Sequence, residues 1–260
     1  MRYTLVSTTN VERFFAAANA VEARLSDREI MGLGLVYGRP GLGKSMALEA
    51  YHAGQKRANR VRTVAVRALA HWSVSSMLES LLRAAGYEPM IYRRNVMFDQ
   101  LAEDLTRHPA LLLVDEVDAI AGHRPMMSIL KDIHDVTQSA VLMIGEERVD
   151  GLLRRFESFY NRFNSSALVH LTHHTADDVR NIVQARCELP VQDEVCEALY
   201  KESGGKSMRS VIDRIREIEA WCATNGIKEF GLKEWARITS RRVVREAKPL
   251  THAVREVGNA

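Results

Sequence analysis

The run Gly38-Arg39-Pro40-Gly41-Leu42-Gly43-Lys44-Ser45 constrains this chain more than any other segment of similar length. It follows the apolar run Leu33 to Tyr37 and precedes a helical pattern from Lys44 to His52, so it occupies a strand-to-helix turn. Glycines in that turn let backbone N–H groups curl around an anion, and the following helix adds its positive end. The pattern G-x-x-x-x-G-K-[ST] therefore predicts a phosphate cradle from Gly38 to Met46. Lys44 would reach the β and γ phosphates of ATP, and the Ser45 hydroxyl would ligate Mg²⁺. A glycine-rich turn that merely contains a lysine is the alternative, and the strand and helix on either side argue against it.

Apolar, β-branched runs recur between helical stretches at Leu33 to Tyr37, Val61 to Val66, Ala110 to Val114, Ala140 to Ile144 and Ala167 to Leu171. Helical spacing fills the gaps at Lys44 to His52, Val74 to Ala85, Val96 to Arg107, Met126 to Val136 and Val149 to Glu157. Such alternation predicts an α/β core with five parallel strands. From Thr175 the strand signals stop. Thr175 and Asp178 form a capping-box-like pair, and helices are expected over Val191 to Glu202, Ser207 to Thr224 and Lys233 to Val244. The expected organisation is a lead helix region over 1–30, the α/β core over 31–172, a small all-helical lid over 173–245 and a loose tail over 246–260.

The second chemical signal is Leu111-Leu112-Leu113-Val114-Asp115-Glu116, an apolar strand delivering two carboxylates to its C-terminal end, where ligands collect in open α/β sheets. This is a Walker B pattern. Asp115 would hold Mg²⁺, and Glu116 would orient and polarise the attacking water, which favours ATP hydrolysis over transfer to a second substrate. Asp118 is expected to be a solvated charge.

With these motifs in place, the chain resembles the AAA+ ATPases over about Thr8 to Val244. The resemblance implies an added strand between the P-loop and Walker B strands and a helical lid after the core. It places a γ-phosphate sensor at Glu146, where an acid would have to hold water or pair with an arginine. It also implies an arginine finger at Arg162, in Asn161-Arg162-Phe163, with Arg154-Arg155 as the competing choice and a surface pair with Glu157 as the bland one. In the lid, Ser203 to Arg209 resembles the segment whose arginine folds back on the γ-phosphate, which assigns Arg209.

The wording around Val36 to Ser45, the short lead and the compact lid resemble the target-selection ATPases of transposable elements. That resemblance implies homo-oligomers, as rings or ATP-dependent helical filaments, on duplex DNA with little sequence preference, and recruitment of a transposase. About 30 residues precede the first strand, too few for a helix-turn-helix module, so DNA is expected on the ATPase body itself. Arg93, Arg94 and Asn95, with Arg67, Ser75 and Ser76, are the candidate contacts, against a solvated face at each. Helicase-loader-like remodelling and nucleotide-switch signalling remain as alternatives.

The chain shows no run of apolar residues long enough to span a bilayer and no signal-like start, so a cytoplasmic location is expected by default. Cys187, Cys196 and Cys222, odd in number and without a C-x-x-C pair, are expected as buried thiols. His170, His173 and His174 lack carboxylate or cysteine at ligand spacing and are expected to be solvated. Phe14, Phe15, Val11 and Val21 form a stripe expected to pack in the core; the AAA+ resemblance also implies an adenine-contacting segment there, with Thr9, Asn10 and Val11 as candidate contacts to the adenine base.

Overall fold

The computed structural model describes residues 5–246, with side chains described as far as residue 239. Five strands, β1 (Leu33–Tyr37), β2 (Thr63–Arg67), β3 (Leu111–Asp115), β4 (Ala140–Gly145) and β5 (Phe163–His170), form one sheet in the order β2-β3-β4-β1-β5. All pairings are parallel. The chain has an α/β P-loop fold of the AAA+ type, with β4 inserted between β1 and β3 and a helical region after the sheet.

The central strands are buried on both faces, which is why they read as unbroken apolar runs. Alternation sorts their side chains. Val36, Leu111, Leu113 and Leu142 face α1 (Thr9–Glu22) and α2 (Lys44–Ala58), while Leu33, Leu35, Leu112 and Val114 face the other layer. That layer is α3 (Val74–Ala84), α4 (Arg94–Arg107) and α5 (Arg124–Val136), set on the sheet through Met77, Leu81, Met97, Leu101 and Leu130. Phe14, Ala17, Ala18 and Val21 of α1 are fully buried against β1 and β5, so the lead helix forms part of the core layer, and the expected apolar stripe packs as anticipated.

Two departures from the expected elements have a clear local cause. The last strand begins at Phe163, four residues before the apolar run at Ala167, because its first half lies at the sheet edge with Ser165 and Ser166 exposed. The helix expected over Val149 to Glu157 is two short ones, α6 (Arg148–Leu153) and α7 (Glu157–Tyr160), broken at Phe156, whose backbone leaves the helical region.

The lid comprises α8 (Ala176–Arg186), α9 (Asp193–Ser203), α10 (Met208–Asn225) and α11 (Leu232–Glu246). Thr175 and Asp178 do form a capping box at its start. Val179, Val183, Leu199, Ile215, Ile218 and Phe230 build a core separate from that of the sheet, and Cys187, Cys196 and Cys222 are buried thiols within it. Burial pushes the Cys196 and Cys222 thiols up to about 11. The tail after Pro249 lies outside the described residues.

Lid and core meet at two glycines. Gly41 has φ 83°, and a Cβ there would stand 2.5 Å from Ser207 Oγ, while its carbonyl accepts from the Met208 N–H at 2.9 Å. Gly205 has φ 64°, and a Cβ there would lie 2.2 Å from the His174 carbonyl oxygen. Only glycine combines that left-handed backbone with so close an approach. The phosphate loop is thus bonded directly to the first turn of α10.

Candidate functional site

Register brings the chemistry together. Tyr37 of β1 pairs with Gly145 of β4, and Arg67 of β2 pairs with Asp115 of β3, so the loops after these strands share the C-terminal edge of the sheet. From Gly38 the chain turns through the glycine loop, and Gly43, with φ 87°, becomes the N-cap of α2. The free amide groups of the first turn of α2 and its helix dipole therefore face the cradle. Lys44 Nζ lies over the loop, donating to the carbonyls of Gly38 at 2.6 Å and Arg39 at 2.8 Å. Burial pulls its pKa below the ordinary lysine value, against the carboxylates of Glu146, Asp115 and Asp118, which favour the charged form.

A cleft of about 590 Å³ opens above the loop. Its floor carries Pro40, Gly41, Gly43, Lys44, Ser45 and Met46, its core wall Asp115, Glu116, Asp118 and Glu146, and its lid wall Arg186, Met208, Arg209, Asp213 and Arg216. That volume is within the range of small-molecule sites. The sequence-predicted Lys44, Ser45, Asp115, Glu116 and Arg209 are therefore brought to one place. Arg209 is in the first turn of α10, where a cation opposes the helix dipole, and the acidic cleft supplies the compensating field.

Asp115 accepts a hydrogen bond at Oδ1 from the Glu116 N–H at 2.9 Å, and Glu116 takes a left-handed backbone, φ 52°. A non-glycine residue held in that region signals local strain that the surroundings sustain. The Glu116 carboxylate forms an ion pair with Arg67. Ser45 on the floor of the cleft and Asp115 on its core wall offer hydroxyl and carboxylate oxygens, the hard donor set that Mg²⁺ takes together with phosphate oxygens. Among the described residues no cluster of three or more His, Cys, Asp or Glu side chains forms a metal site by itself.

Asp118 is not the solvated charge expected. Its carboxylate accepts from the Glu146 N–H at 3.3 Å, pairs with Arg148 at 3.2 Å and lines the cleft, tying the loop after β3 to the loop after β4. Arg186 and Arg216 are further lid cations in the cleft that the sequence did not single out, since basic residues are common on helices and only the lid's docking selects these two.

Below the cleft a narrow cavity shares Gly43, Met46, Arg186, Met208 and Ile212 with it and extends to Leu42, Ile182 and the N-terminal residues Leu5, Val6, Thr8 and Val11. His174 lines this cavity and is 3% exposed, a correction to its expected solvation, whereas His170 and His173 are exposed as expected. The linker is buried there because the Gly205 carbonyl accepts from the His174 N–H at 2.9 Å, drawing the segment under the lid. Of the candidate base contacts, Val11 reaches the cavity; Thr9 donates to Asp178 and Asn10 to the Thr172 carbonyl.

Other predicted residues lie elsewhere. Arg39 pairs with Glu147 at 3.6 Å on the exposed side of the loop. Arg162 is outside the cleft and pairs with Asp135 at 2.7 Å, not with Glu157, and it also donates to the Ser158 carbonyl. Burial raises the Asp135 carboxyl, but hydrogen bonds from Arg162, His134 and Lys131 outweigh it and hold the group at about 2. Arg154 pairs with Asp150 and stacks over Tyr160, and Arg155 is exposed beside it. Of the candidate DNA contacts, Arg67 is engaged with Glu116, and Ser76 is engaged with Ser73 in the capping box of α3, with Ser75 beside it. Arg93, Arg94 and Asn95 are exposed where α4 starts, following Met90, Ile91 and Tyr92, which are 74%, 52% and 63% exposed, an apolar tip among cations.

A family model described as an AAA domain matches residues 28–153. No curated protein matches the chain in sequence. Among solved structures it is similar to Orc1 of Aeropyrum pernix in complex with DNA, at 16% identity and a TM-score of 0.63, covering 94% of this chain and 70% of that one. Cdc6p of Pyrobaculum aerophilum is similar at 14% identity and a TM-score of 0.67, with 88% and 66% covered. Domain III of the Thermotoga maritima replication initiation protein DnaA is similar at 18% identity and a TM-score of 0.54, with 89% and 95% covered. At such identities the likeness establishes the fold. Residues 28–153 thus match an AAA domain model, and the chain has the α/β P-loop fold of the AAA+ type. Among the described residues, no helix is long and apolar enough to cross a membrane.

Proposed function

We propose that this chain binds ATP with Mg²⁺ in the cleft, hydrolyses it, and uses the cycle to control its hold on duplex DNA as a homo-oligomer. The observation that supports this most directly is the convergence of Lys44, Ser45, Asp115, Glu116 and Arg209 on one cleft from three separate stretches of chain. In this reading Lys44 exchanges the Gly38 and Arg39 carbonyls for the β and γ phosphates, which accept its protons more strongly. Ser45 and Asp115 would hold Mg²⁺, which would supply charge neutralisation at the phosphates. Glu116 turns from Arg67 to orient a water, the water attacks the γ-phosphorus, and the bond to the β-phosphate oxygen breaks to give ADP and phosphate. Arg209 closes on the γ-phosphate from the lid.

Arg162 lies outside its own cleft, which supports a role at a neighbour's nucleotide and so an assembly, ring or filament, as the active form. Binding of DNA through Arg93, Arg94 and Asn95 would be largely sequence-independent, since these are exposed cations at a helix start with no recognition module around them. A structure of Orc1 in complex with DNA is among the similar folds, which supports DNA as the partner class. The finer role, target selection in transposition with a transposase as partner, rests on the resemblance of the Val36 to Ser45 segment to that subfamily.

Filter binding of random duplexes across a salt series tests the DNA part. The expected result is ATP-dependent binding that falls steeply with salt and competes nearly equally among sequences. A strong preference for one short sequence that survives high salt would overturn it, and the absence of any DNA binding with ATP would favour the loader or signalling readings.

A further inference from the structure

A chain of hydrogen bonds links Arg162 to the entry of the sheet. Leu33 of β1 and Phe163 of β5 are register partners, so the residues before them, Gly32 and Arg162, share the N-terminal edge of the sheet, opposite the cleft. The last turn of α5 reaches both. A Cβ on Gly32 would stand 2.5 Å from Arg24 Cδ and 3.1 Å from His134 Cδ2, so a side chain there would push β1 away from this helix. His134 is 4% exposed, and its carbonyl accepts from Arg24 Nη2 at 3.1 Å, which fixes its backbone.

The Gly32 N–H sets the histidine's tautomer. It donates to Nε2 at 3.1 Å, and burial keeps the ring neutral by pulling its pKa below the ordinary value. The one proton of a neutral ring is then on Nδ1, which donates to Asp135 Oδ1 at 3.0 Å. That same oxygen accepts from Arg162 Nε at 2.7 Å, while Lys131 Nζ donates to Oδ2 at 3.2 Å. The Ser158 carbonyl accepts from Arg162 Nη1. Two sides of the guanidinium are thus fixed, and Nη2 has no acceptor among the described residues. A planar fork held on two sides keeps its direction, and its remaining N–H groups are left for an anion.

We propose that His134 is a positioning residue for hydrolysis: through Asp135 it orients Arg162 so that Nη2 meets the γ-phosphate held by a neighbouring copy of this chain. The inference rests on the reading of Arg162 as acting in trans. His134 does not line the cleft of its own subunit, so its effect belongs to the neighbour's site. A misplacement of about 1 Å at a reacting centre costs up to about a hundredfold in rate, which is the scale on which such support acts.

The test is steady-state ATP turnover by the full chain, alone and in equimolar mixtures whose co-assembly light scattering confirms. His134→Leu should lower kcat at least about tenfold, with KM for ATP within about twofold of the parent's. His134→Gln, whose amide can accept from Gly32 and donate to Asp135, should recover part of the loss. Because the defect is in the arginine and not in the cleft, mixing His134→Leu with Glu116→Gln should raise turnover above the average of the two alone, towards about a quarter of the parent's. Mixing it with Arg162→Ala should give no such rise. Asp135→Ala, at a partly exposed site, should behave in the same way and decides the matter if buried His134→Leu does not assemble. An unchanged kcat, a rise with Arg162→Ala, or no rise with Glu116→Gln while Arg162→Ala and Glu116→Gln do recover together, overturns this inference alone. No recovery in that last pairing overturns the trans reading and this inference with it.

Discussion

Arg67, the last residue of β2, pairs with the carboxylate of Glu116, the residue that follows β3, and so holds the group expected to activate water. The two stand together because Arg67 and Asp115 are register partners, which places the residue after Asp115 beside the end of β2. A carboxylate shared with a guanidinium is a poorer acceptor for a water proton. The pair is exposed, with side chains 65% and 46% accessible, so it is a weak restraint that a competing anion can displace.

Arg67→Ala should therefore raise DNA-independent ATP turnover, by roughly two- to fivefold given how little an exposed pair contributes. Stimulation by added DNA should shrink in the same variant if DNA phosphate is what draws Arg67 away. A steady-state phosphate-release assay with and without duplex DNA reads both. A fall in basal turnover would show that Arg67 assists hydrolysis and does not restrain it.

Asp135 gives a pH dependence with a definite sign. Its folded pKa, about 2, is below the unfolded value near 4, so the unfolded state binds more protons between them. The contribution is present in full above about pH 4 and is lost as pH falls towards 2. At a partly exposed site it amounts to about 1 to 2 kcal/mol. Asp135→Asn should lower the free energy of unfolding in urea at pH 7 by that much, and the gap from the parent should narrow on acidification to pH 3. A gap independent of pH would place the effect in packing, not charge.

Asp135 and the Ser158 carbonyl hold Arg162 against its own subunit. If Arg162 serves a neighbour's nucleotide, mixing inactive Arg162→Ala with inactive Glu116→Gln should restore activity at shared interfaces, up to about a quarter of the parent's for random pairing. Light scattering confirms that the two co-assemble. No recovery in co-assembled mixtures would remove Arg162 from the trans role and leave exposed Arg155 as the arginine to test.

Much of this was legible in the residues alone, and what was hidden has a common cause. β1, β3 and β4 are buried on both faces, so their sequences are continuous apolar runs, and the loop after β1 and the acids after β3 are placed by chain connectivity. The start of β5 was missed because an edge strand carries exposed Ser165 and Ser166 like a loop. The break between α6 and α7 was missed because apolar Phe156 continues the helical spacing while its backbone departs from it. Asp118, His174 and the Arg67–Glu116 pair depend on strand register and on the approach of Gly205 to the linker. Those are tertiary facts, which local spacing does not encode.

The most direct test of the central claim is the identity of the nucleotide retained by Glu116→Gln. The substitution keeps size and hydrogen bonding but removes the base, while Lys44, Ser45 and Asp115 still line the cleft. The protein is incubated with labelled ATP and Mg²⁺, desalted, and its bound nucleotide resolved by chromatography, with Lys44→Ala as the variant expected to retain none. The account predicts mostly ADP on the parent and mostly ATP on Glu116→Gln. Equal ADP on both, or as much nucleotide on Lys44→Ala as on the parent, would contradict it.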